Sequence, residues 1–420
     1  MNERTLEQSI KSLRSNPVRT LLTTLGIIIG IATVIMVFSA GAGFRSLIND
    51  QLSSWGTNTL FIETRVPPTT KNLANNNASS ADFSRATSSV QITSFKLSDL
   101  EEIKKLPNVT GAYGITTGLS VVSYRNVAKS VIYYAAGSEM ASIDKHILKE
   151  GRFFTEAEDT GANQVAILGS NLANDLFGQD EALGKLIRIG NLNFQVIGVW
   201  DPQGSVSAGG VDDGLYMPLT TAQKKMLGVN YITIGVVQMR DENLADSTSE
   251  DIKQIMRRTH NIKDPGKDDF TVTTQDEALG TFNTIFNGIT ILLISIASIS
   301  LIVGGVGIMN IMYVTVTERT SEIGLKKAVG ATNNDILEEF LVESVLVTII
   351  GGFLGIALGS VLGWLVSLIA AKFGLIWHFS VPFYAVVIAV GVSGAIGIFF
   401  GVFPARSASR MDPIEALRYE

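Results

Sequence analysis

Glu318–Asp335 reads ERTSEIGLKKAVGATNND, a charged stretch set between two uncharged ones. Before it run 40 residues without Asp, Glu, Lys or Arg, Ala278–Thr317, and soon after it 28 more, Ser344–Ala371. About 20 apolar residues suffice to cross a hydrocarbon core of about 30 Å. The stretch is therefore expected to be a loop between two membrane-spanning helices. Arg319, Lys326 and Lys327 predict that it lies in the cytoplasm. It is too short for a domain. Ile323, Lys327 and Gly330 recur at helical spacing, which predicts a small helix over 318–335 rather than a slack tether.

Working outward, the spacing of uncharged runs predicts four spans: 20–44, 280–317, 341–370 and 383–402. The fold class expected is a membrane α-helical protein with four transmembrane helices and a large α+β extracytoplasmic domain inserted between helices 1 and 2. Small residues recur every four positions inside the spans: Gly26 and Gly30; Gly351, Gly355, Gly359 and Gly363; Gly397 and Gly401. Such ridges let helices approach closely where lipid offers no hydrophobic drive. Residues 1–19 read as a cytoplasmic amphipathic helix on the membrane surface, with Leu6, Ile10 and Leu13 on one face and Pro17 ending it. An ordinary basic flank is the plainer reading of the same residues. A cleaved signal peptide ending near Ser39–Ala42 competes with the first span, but the apolar run is long for one. Basic residues gather at the N-terminus, in the 318–335 loop and in the 403–420 tail, while 372–382 carries Lys372 and His378. This asymmetry predicts both ends inside and residues 45–277 outside.

Within 45–277, Pro67–Ser89 is rich in Asn, Ser, Thr and Ala and reads as a mobile loop. Two split strand–helix–strand units are expected at about 95–136 and 230–277. The first would carry a helix over Leu97–Leu106, strands at Val109–Tyr113 and, around a turn, at Leu119–Tyr124 and Ser130–Ala136. The second would carry a strand at Tyr231–Met239, a helix at Leu244–Thr259 and a strand at Phe270–Thr274. Between them, 137–229 reads as an inserted β-rich module with strands at Val165–Leu168, Leu186–Ile189 and Phe194–Trp200 and a helix at Asn171–Phe177. Asp201–Gly214 reads as a second mobile loop.

The chemistry is sparse. Charged residues make up 17% of the chain, there is no Cys, and His146, His260 and His378 are scattered. Thiolate chemistry is excluded, a His-rich metal site is not expected, and no charge block points to nucleic acid. Gly184-Lys185-Leu186 is a poor echo of a phosphate-binding loop, and neither HExxH nor GxSxG occurs. The spans hold no Asp, Glu, Lys or Arg away from their ends, so a proton-coupled relay is not expected. Asp412-Pro413 in the tail has the form of a helix start, Asp as cap and Pro first.

These residues resemble the MacB-like permeases, the FtsX-like branch of the ABC transporters. The segment NPVRTLLTTLGIIIGIATVI is similar to the first span of that family. GRFFTEAED, VAILGSNLANDLF, LGKLIRIGNLNFQVIGVW and DGLYMPLTTAQ are similar to its external domain in order. VTERTSEIGLKKAVGATNNDILEEFLVESV and FPARSASRMDPIEALRYE resemble its cytoplasmic signatures. The resemblance implies a bacterial inner-membrane permease that dimerises, either as a homodimer with a second copy of itself or as a pseudo-symmetric dimer. It implies a separate ABC ATPase subunit carrying ATP and Mg, and an adaptor above. No cofactor and no catalytic residue are expected in this chain, and lipid is its other partner. ATPase contact is expected at Glu318, Arg319, Glu322, Ile323, Gly324, Lys326, Lys327 and Gly330. The resemblance implies export of a peptide, drug or lipidated substrate by mechanotransmission. The alternative is a non-transporting signalling permease that activates a cell-wall hydrolase.

Overall fold

A computed structural model describes residues 17–54, 56, 58–67, 92–145, 147–178, 180–203, 210–372, 375 and 377–417. Helix α1 (Pro17–Ser54) leads into strand β1 (Thr59–Thr64). Helix α2 (Leu97–Ile103) and strands β2 (Val109–Tyr124), β3 (Val127–Ala136), β4 (Leu148–Gly151) and β5 (Val165–Leu168) follow. Then come helix α3 (Ser170–Phe177), strands β6 (Leu186–Ile189), β7 (Leu192–Trp200), β8 (Leu215–Pro218) and β9 (Ile234–Met239), helix α4 (Ala245–Thr259) and strand β10 (Phe270–Thr274). The chain continues as α5 (Gln275–Glu318), α6 (Thr320–Ala328), α7 (Asn333–Lys372), α8 (Phe383–Ser409) and α9 (Pro413–Leu417). It divides into two compact units, a helical one and the α/β domain between the first two long helices. Residues 1–16 of the expected surface helix, 68–89 of the expected first loop, 204–209 of the expected second loop and 418–420 of the expected tail lie outside the described residues.

The α/β domain holds one sheet in the order β10-β1-β9-β2-β3-β8-β5-β7-β4, with β6 pairing β2 and β7. The two sequence-distant parts do pair, through β2 and β9 (Ala112 opposite Val237, Tyr113 opposite Val236). The inserted region is not a separate body, however. Its strand β8 lies parallel to β3 (Tyr133 opposite Leu215) and continues the same sheet. An uncovered β3 edge would leave its backbone groups without partners. Strand β1 inserts between β9 and β10, a pairing with strands roughly 170 residues or more away along the chain that local pattern does not reveal.

The expected turn between Tyr113 and Leu119 does not exist. β2 runs 16 residues without a break. Gly114 and Gly118, which lie within the expected turn, are there for room. A Cβ on Gly114 would lie 2.9 Å from the Ile232 side chain, and one on Gly118 would lie 2.3 Å from the Tyr133 hydroxyl. The real turn is Arg125-Asn126, where Tyr124 pairs Val127 and Arg125 takes a φ of 50°. Alternation along the strands separates two apolar layers. Leu60, Ile62 and Ala112 join Leu100, Ile103, Ile252 and Met256 under α2 and α4. Phe61, Tyr113 and Ile115 face the other layer, with Trp200 and Tyr216. The stretch 210–214 of the second expected loop is also fixed. Asp212 is buried, accepts hydrogen bonds from Ser170 Oγ (3.1 Å) and the Gln203 N–H (3.0 Å), and stands at the N-terminus of α3.

In the helical unit, four of the described helices are long and apolar enough to cross a membrane. Each long helix overruns the span expected from charge: 17–54, 275–318, 333–372 and 383–409 replace 20–44, 280–317, 341–370 and 383–402. Charge marks where a helix enters water, not where its backbone hydrogen bonding stops. α8 thus takes in residues 403–409 of the expected tail, with Pro404 inside it.

α1 packs by close backbone approach. A Cβ on Gly26 would lie 2.6 Å from Gly304 Cα on α5, and one on Gly30 the same distance from the Leu301 side chain. Along α7, Gly355 would meet the Ile28 carbonyl at 2.9 Å and Gly359 the Ala32 carbonyl at 2.6 Å. Gly351 faces Ile27 and Thr24, and Gly363 faces Ser39. Gly397 and Gly401 of α8 instead receive Thr348 and Ser344 of α7. There Ser344 Oγ donates to the Gly397 carbonyl (2.9 Å) and Ser393 Oγ to the Thr348 carbonyl. Gly304, Gly305 and Gly352 belong to the same packing and fall outside the four-residue spacing read from sequence.

Gly359→Leu is expected to separate α1 from α7 at a cost of about 1–3 kcal/mol, the usual scale of overpacking. Gly391→Leu, on α8 where a Cβ meets nothing within 4 Å, is the control. The thermal midpoint of the detergent-purified chain should fall by several degrees for the first and stay for the second.

Candidate coupling site between the second and third spans

α5 ends at Glu318, and only Arg319 separates it from α6. Arg319 leaves helical geometry (φ −104°, ψ 16°), while its N–H still bonds the Thr315 carbonyl at 3.0 Å. The chain therefore turns a corner without losing its hydrogen bonding. Thr320 Oγ1 ties the corner to the Val316 and Thr317 carbonyls (3.1 and 2.9 Å). Glu322 lies in the first turn of α6, and Lys326 and Lys327 lie in the last, each sign opposite the helix dipole end it sits on.

The helix expected over 318–335 is in fact nine residues, Thr320–Ala328. Gly330 is not on its face. It takes φ +108° with nothing within 4 Å of an added Cβ, and the Ala331 N–H closes back on the Lys326 carbonyl at 3.0 Å. Glycine stops the helix there because an L side chain resists that backbone angle. The next helix starts at Asn333, three residues after Gly330. Thr332 and Asp335 cap α7 reciprocally, the Thr332 N–H to Asp335 at 2.8 Å and the Asp335 N–H to Thr332 Oγ1 at 3.2 Å.

The expected contact residues fall into three groups. Ile323 is 2% exposed, Gly324 lies against Ala416 of α9 (2.9 Å from an added Cβ), and Lys327 Nζ donates to the Ser409 and Met411 carbonyls (2.7 and 2.8 Å). These three face inward and hold the end of α8 and α9. Arg319 and Lys326 point sideways to α7. Arg319 pairs Glu322 (2.9 Å) and Glu343 (3.3 Å), lies 3.6 Å from Glu339 and sits over the Phe340 ring. Lys326 pairs Glu339 (2.8 Å) and Glu322 (3.1 Å). Arg319, helped by Lys326, outweighs burial and holds the Glu322 carboxyl at about 2. Glu318 and Glu322 alone of the eight are exposed side chains on α6 or its lead-in.

Sequence reasoning missed the outer apolar face. Leu325 (58%) and Val329 (83%) are exposed at i, i+4, beside Ile414 (71%) and Leu417 (51%) of α9. The signal was present, since Leu325 and Val329 lie off the Ile323–Lys327 face. The denser charge on the same short helix masks it. α9 starts as expected, with Asp412 Oδ1 accepting the Ile414 N–H at 2.8 Å. No set of three His, Cys, Asp or Glu among the described residues is placed to hold a metal ion.

Fold and site together define a chain with four helices long and apolar enough to cross a membrane, an α/β domain between the first two, and a corner helix after the second. Residues 20–255 match the family model of the MacB-like periplasmic core domain, and 294–413 match the FtsX-like permease C-terminal. The chain belongs to the MacB-like family of ABC transporter permeases. It is 36% identical over 419 residues to a macrolide export ATP-binding/permease protein MacB of Bdellovibrio bacteriovorus, covering 99% of this chain and 61% of that one. To the protein of the same description from Wolinella succinogenes it is 34% identical over 416 residues, with coverage of 99% and 60%. The crystal structure of the periplasmic region of MacB from Actinobacillus actinomycetemcomitans is 22% identical, covers 56% of this chain and 97% of that chain, and has a TM-score of 0.45. The chain spans about three-fifths of the length of the curated relatives it matches.

Lys327→Ala removes a charged donor from two carbonyls, an interaction worth about 1.5–3 kcal/mol. In membranes, tryptic cleavage at Arg406 and Arg410 should accelerate roughly tenfold, with the rest of the chain unchanged.

Proposed function

We propose that this chain couples ATP binding and hydrolysis, on an ABC ATPase docked below the membrane, to motion of its extracytoplasmic domain. ATP and Mg sit on that ATPase, and no cofactor sits in this chain. The observation that carries the reading is the wiring of α6. It follows α5 after one residue, is ion-paired to α7, and grips the end of α8 and α9 through Lys327 and Gly324. A push on α6 therefore reaches the membrane helices through short, rigid links. α5 is an uninterrupted helix of 44 residues, about 66 Å at 1.5 Å per residue, twice the hydrocarbon thickness. It serves as the rod that carries the push outward.

The ATPase contact moves outward from the residues expected by sequence. Arg319, Lys326, Lys327, Ile323 and Gly324 hold the corner together, and Glu318, Glu322, Leu325 and Val329 meet the partner, with Ile414 and Leu417 beside them. The names of the relatives join an ATP-binding and a permease function, which supports such a partner. The chain works as a homodimer in the bacterial inner membrane, with both termini and α6 in the cytoplasm, as the basic residues of 1–19, 318–335 and 403–420 favour. The outcome is expulsion of a peptide, drug or lipidated substrate, with an adaptor protein on the outer side.

The double variant Leu325→Asp, Val329→Asp tests this in a complex co-purified with its ATPase and reconstituted in nanodiscs. Permease-stimulated ATPase activity should fall at least tenfold while the thermal midpoint holds. Unchanged stimulation and unchanged recovery of the complex would remove α6 as the docking element. Recovery of a cell-wall hydrolase in place of an adaptor would replace export by signalling.

A further inference from the structure

The α/β domain carries one buried histidine that the coupling reading does not use. His260 follows the last turn of α4, with its N–H on the Met256 carbonyl at 2.9 Å and its ring 2% exposed. Both ring nitrogens face carboxylates from other segments. Nδ1 is 2.8 Å from Asp269 Oδ1, just before β10, and Nε2 is 3.5 Å from Asp99 Oδ2, in the first turn of α2. The side chains of Asp99 and Asp269 are themselves 7% and 15% exposed. Asp99 also accepts the Lys96 N–H at 2.8 Å, and Asp269 Oδ2 accepts from Ser94 Oγ. Phe270 closes the cluster with its ring near-perpendicular to the imidazole.

The geometry constrains the protonation state before any titration is considered. Two carboxylates accept and do not donate. A neutral imidazole has one N–H and one lone pair, so it satisfies one of them and turns a lone pair on the other. Only the imidazolium has a donor for each. Cations of α2 and α4 pair with other acids: Arg257 with Asp268 (2.7 Å), and Arg258 with Glu102 at 3.6 Å. Lys104 pairs Glu101 and Glu139 (3.0 and 2.6 Å), and Lys105 pairs Glu102. Among the described residues, no second cation pairs with Asp99 or Asp269.

We propose that His260 is a proton-operated clasp. Protonated, it holds the start of α2, the end of α4 and the lead-in to β10 together. Deprotonated, its ring offers one donor between two carboxylates, and the joint loosens. The placement gives the clasp consequence, because β10 ends at Thr274 and α5 begins at Gln275. What anchors the head of β10 anchors the root of the long helix. The clasp thereby makes the external domain stiffer in acid and softer in alkali.

The electrostatics agree in direction. Burial alone pushes His260 down, but Asp99 and Asp269 outweigh it and hold the imidazole above its ordinary value. Burial likewise pushes Asp99 up, and His260, the Lys96 N–H and Thr259 outweigh it and hold that carboxyl low. A His pKa raised on folding stabilises fully below the unfolded value of about 6.5, and the contribution is lost as pH rises through the folded value.

The test uses the full chain in nanodiscs. Exchange of the imidazole C2 hydrogen, read by mass spectrometry, titrates each of the three histidines separately. His260 should show a midpoint above about 6.5, and Asp269→Asn should lower it by about one unit or more, since one of its two anionic partners becomes neutral. Amide protection of 94–103 and 268–274, corrected for the intrinsic pH dependence of exchange, should drop severalfold in the wild type as pH passes that midpoint. His260→Gln should lack that drop. A His260 midpoint at or below 6.5, or one unmoved by Asp269→Asn, overturns the proposal even if His260→Gln does not fold. None of these readouts depends on an ATPase.

Discussion

In a bilayer no hydrophobic force draws one apolar helix to another, because lipid tails are as apolar as leucine. Contact must come from backbones close enough to gain dispersion and hydrogen bonds over a long seam. α1 supplies that seam on two sides. It meets α5 at Gly26 and Gly304 and α7 along Gly351, Gly355, Gly359 and Gly363. Ile27, Ile31 and Ile35 of α1 are fully buried among these partners. The α7–α8 contact uses a second device, hydroxyls of Ser344 and Ser393 reaching carbonyls of the facing helix. The remaining features of the helical unit, including the corner at Arg319, depend on helices being held at these short distances.

Much of this was legible. Uncharged runs located four spans because each charge in hydrocarbon costs several kcal/mol, so selection against charge leaves a clear trace. Four-residue glycine spacing located the α1–α7 and α7–α8 faces because it is a local property of one helix. The sheet was harder. β1 (TLFIET) and β8 (LYMP) are short and pair only with strands far away in sequence. Gly114 and Gly118 look the same in sequence whether they turn a chain or admit a neighbour, and the deciding atoms, Ile232 and Tyr133, come from elsewhere.

The candidate coupling site shows the same limit more sharply. Charge and spacing found the helix and its capping tail. They did not say which side of it faces the protein, because that depends on where α7 and α9 lie. Glu339 and Glu343 on α7 draw Arg319 and Lys326 inward, and Ala416 on α9 covers Gly324. Charged residues on a membrane-proximal loop read as partner contacts, yet most of these charges serve internal ion pairs. The outward residues are the apolar pair that a charge-based reading passes over.

That arrangement also explains why the corner can bear a load. A lone surface ion pair contributes about 0–1 kcal/mol and would yield under force. Here two cations, Arg319 and Lys326, share three acids, and the most enclosed, Glu343, is 5% exposed. Ordering one side chain in such a network restrains the next, so each added pair costs less entropy than the first. Desolvation strengthens the inner contacts, while Glu322 stays ionised far below neutral pH. The angle between α5 and α6 is thus set by Arg319, whose own backbone departs from helical geometry, and is pinned by carboxylates on α7. A force on the exposed face of α6 meets a braced joint. The ends of α5, α7 and α8 are tied into that joint by Arg319, by the pairs with Glu339 and Glu343, and by Lys327 on the Ser409 carbonyl.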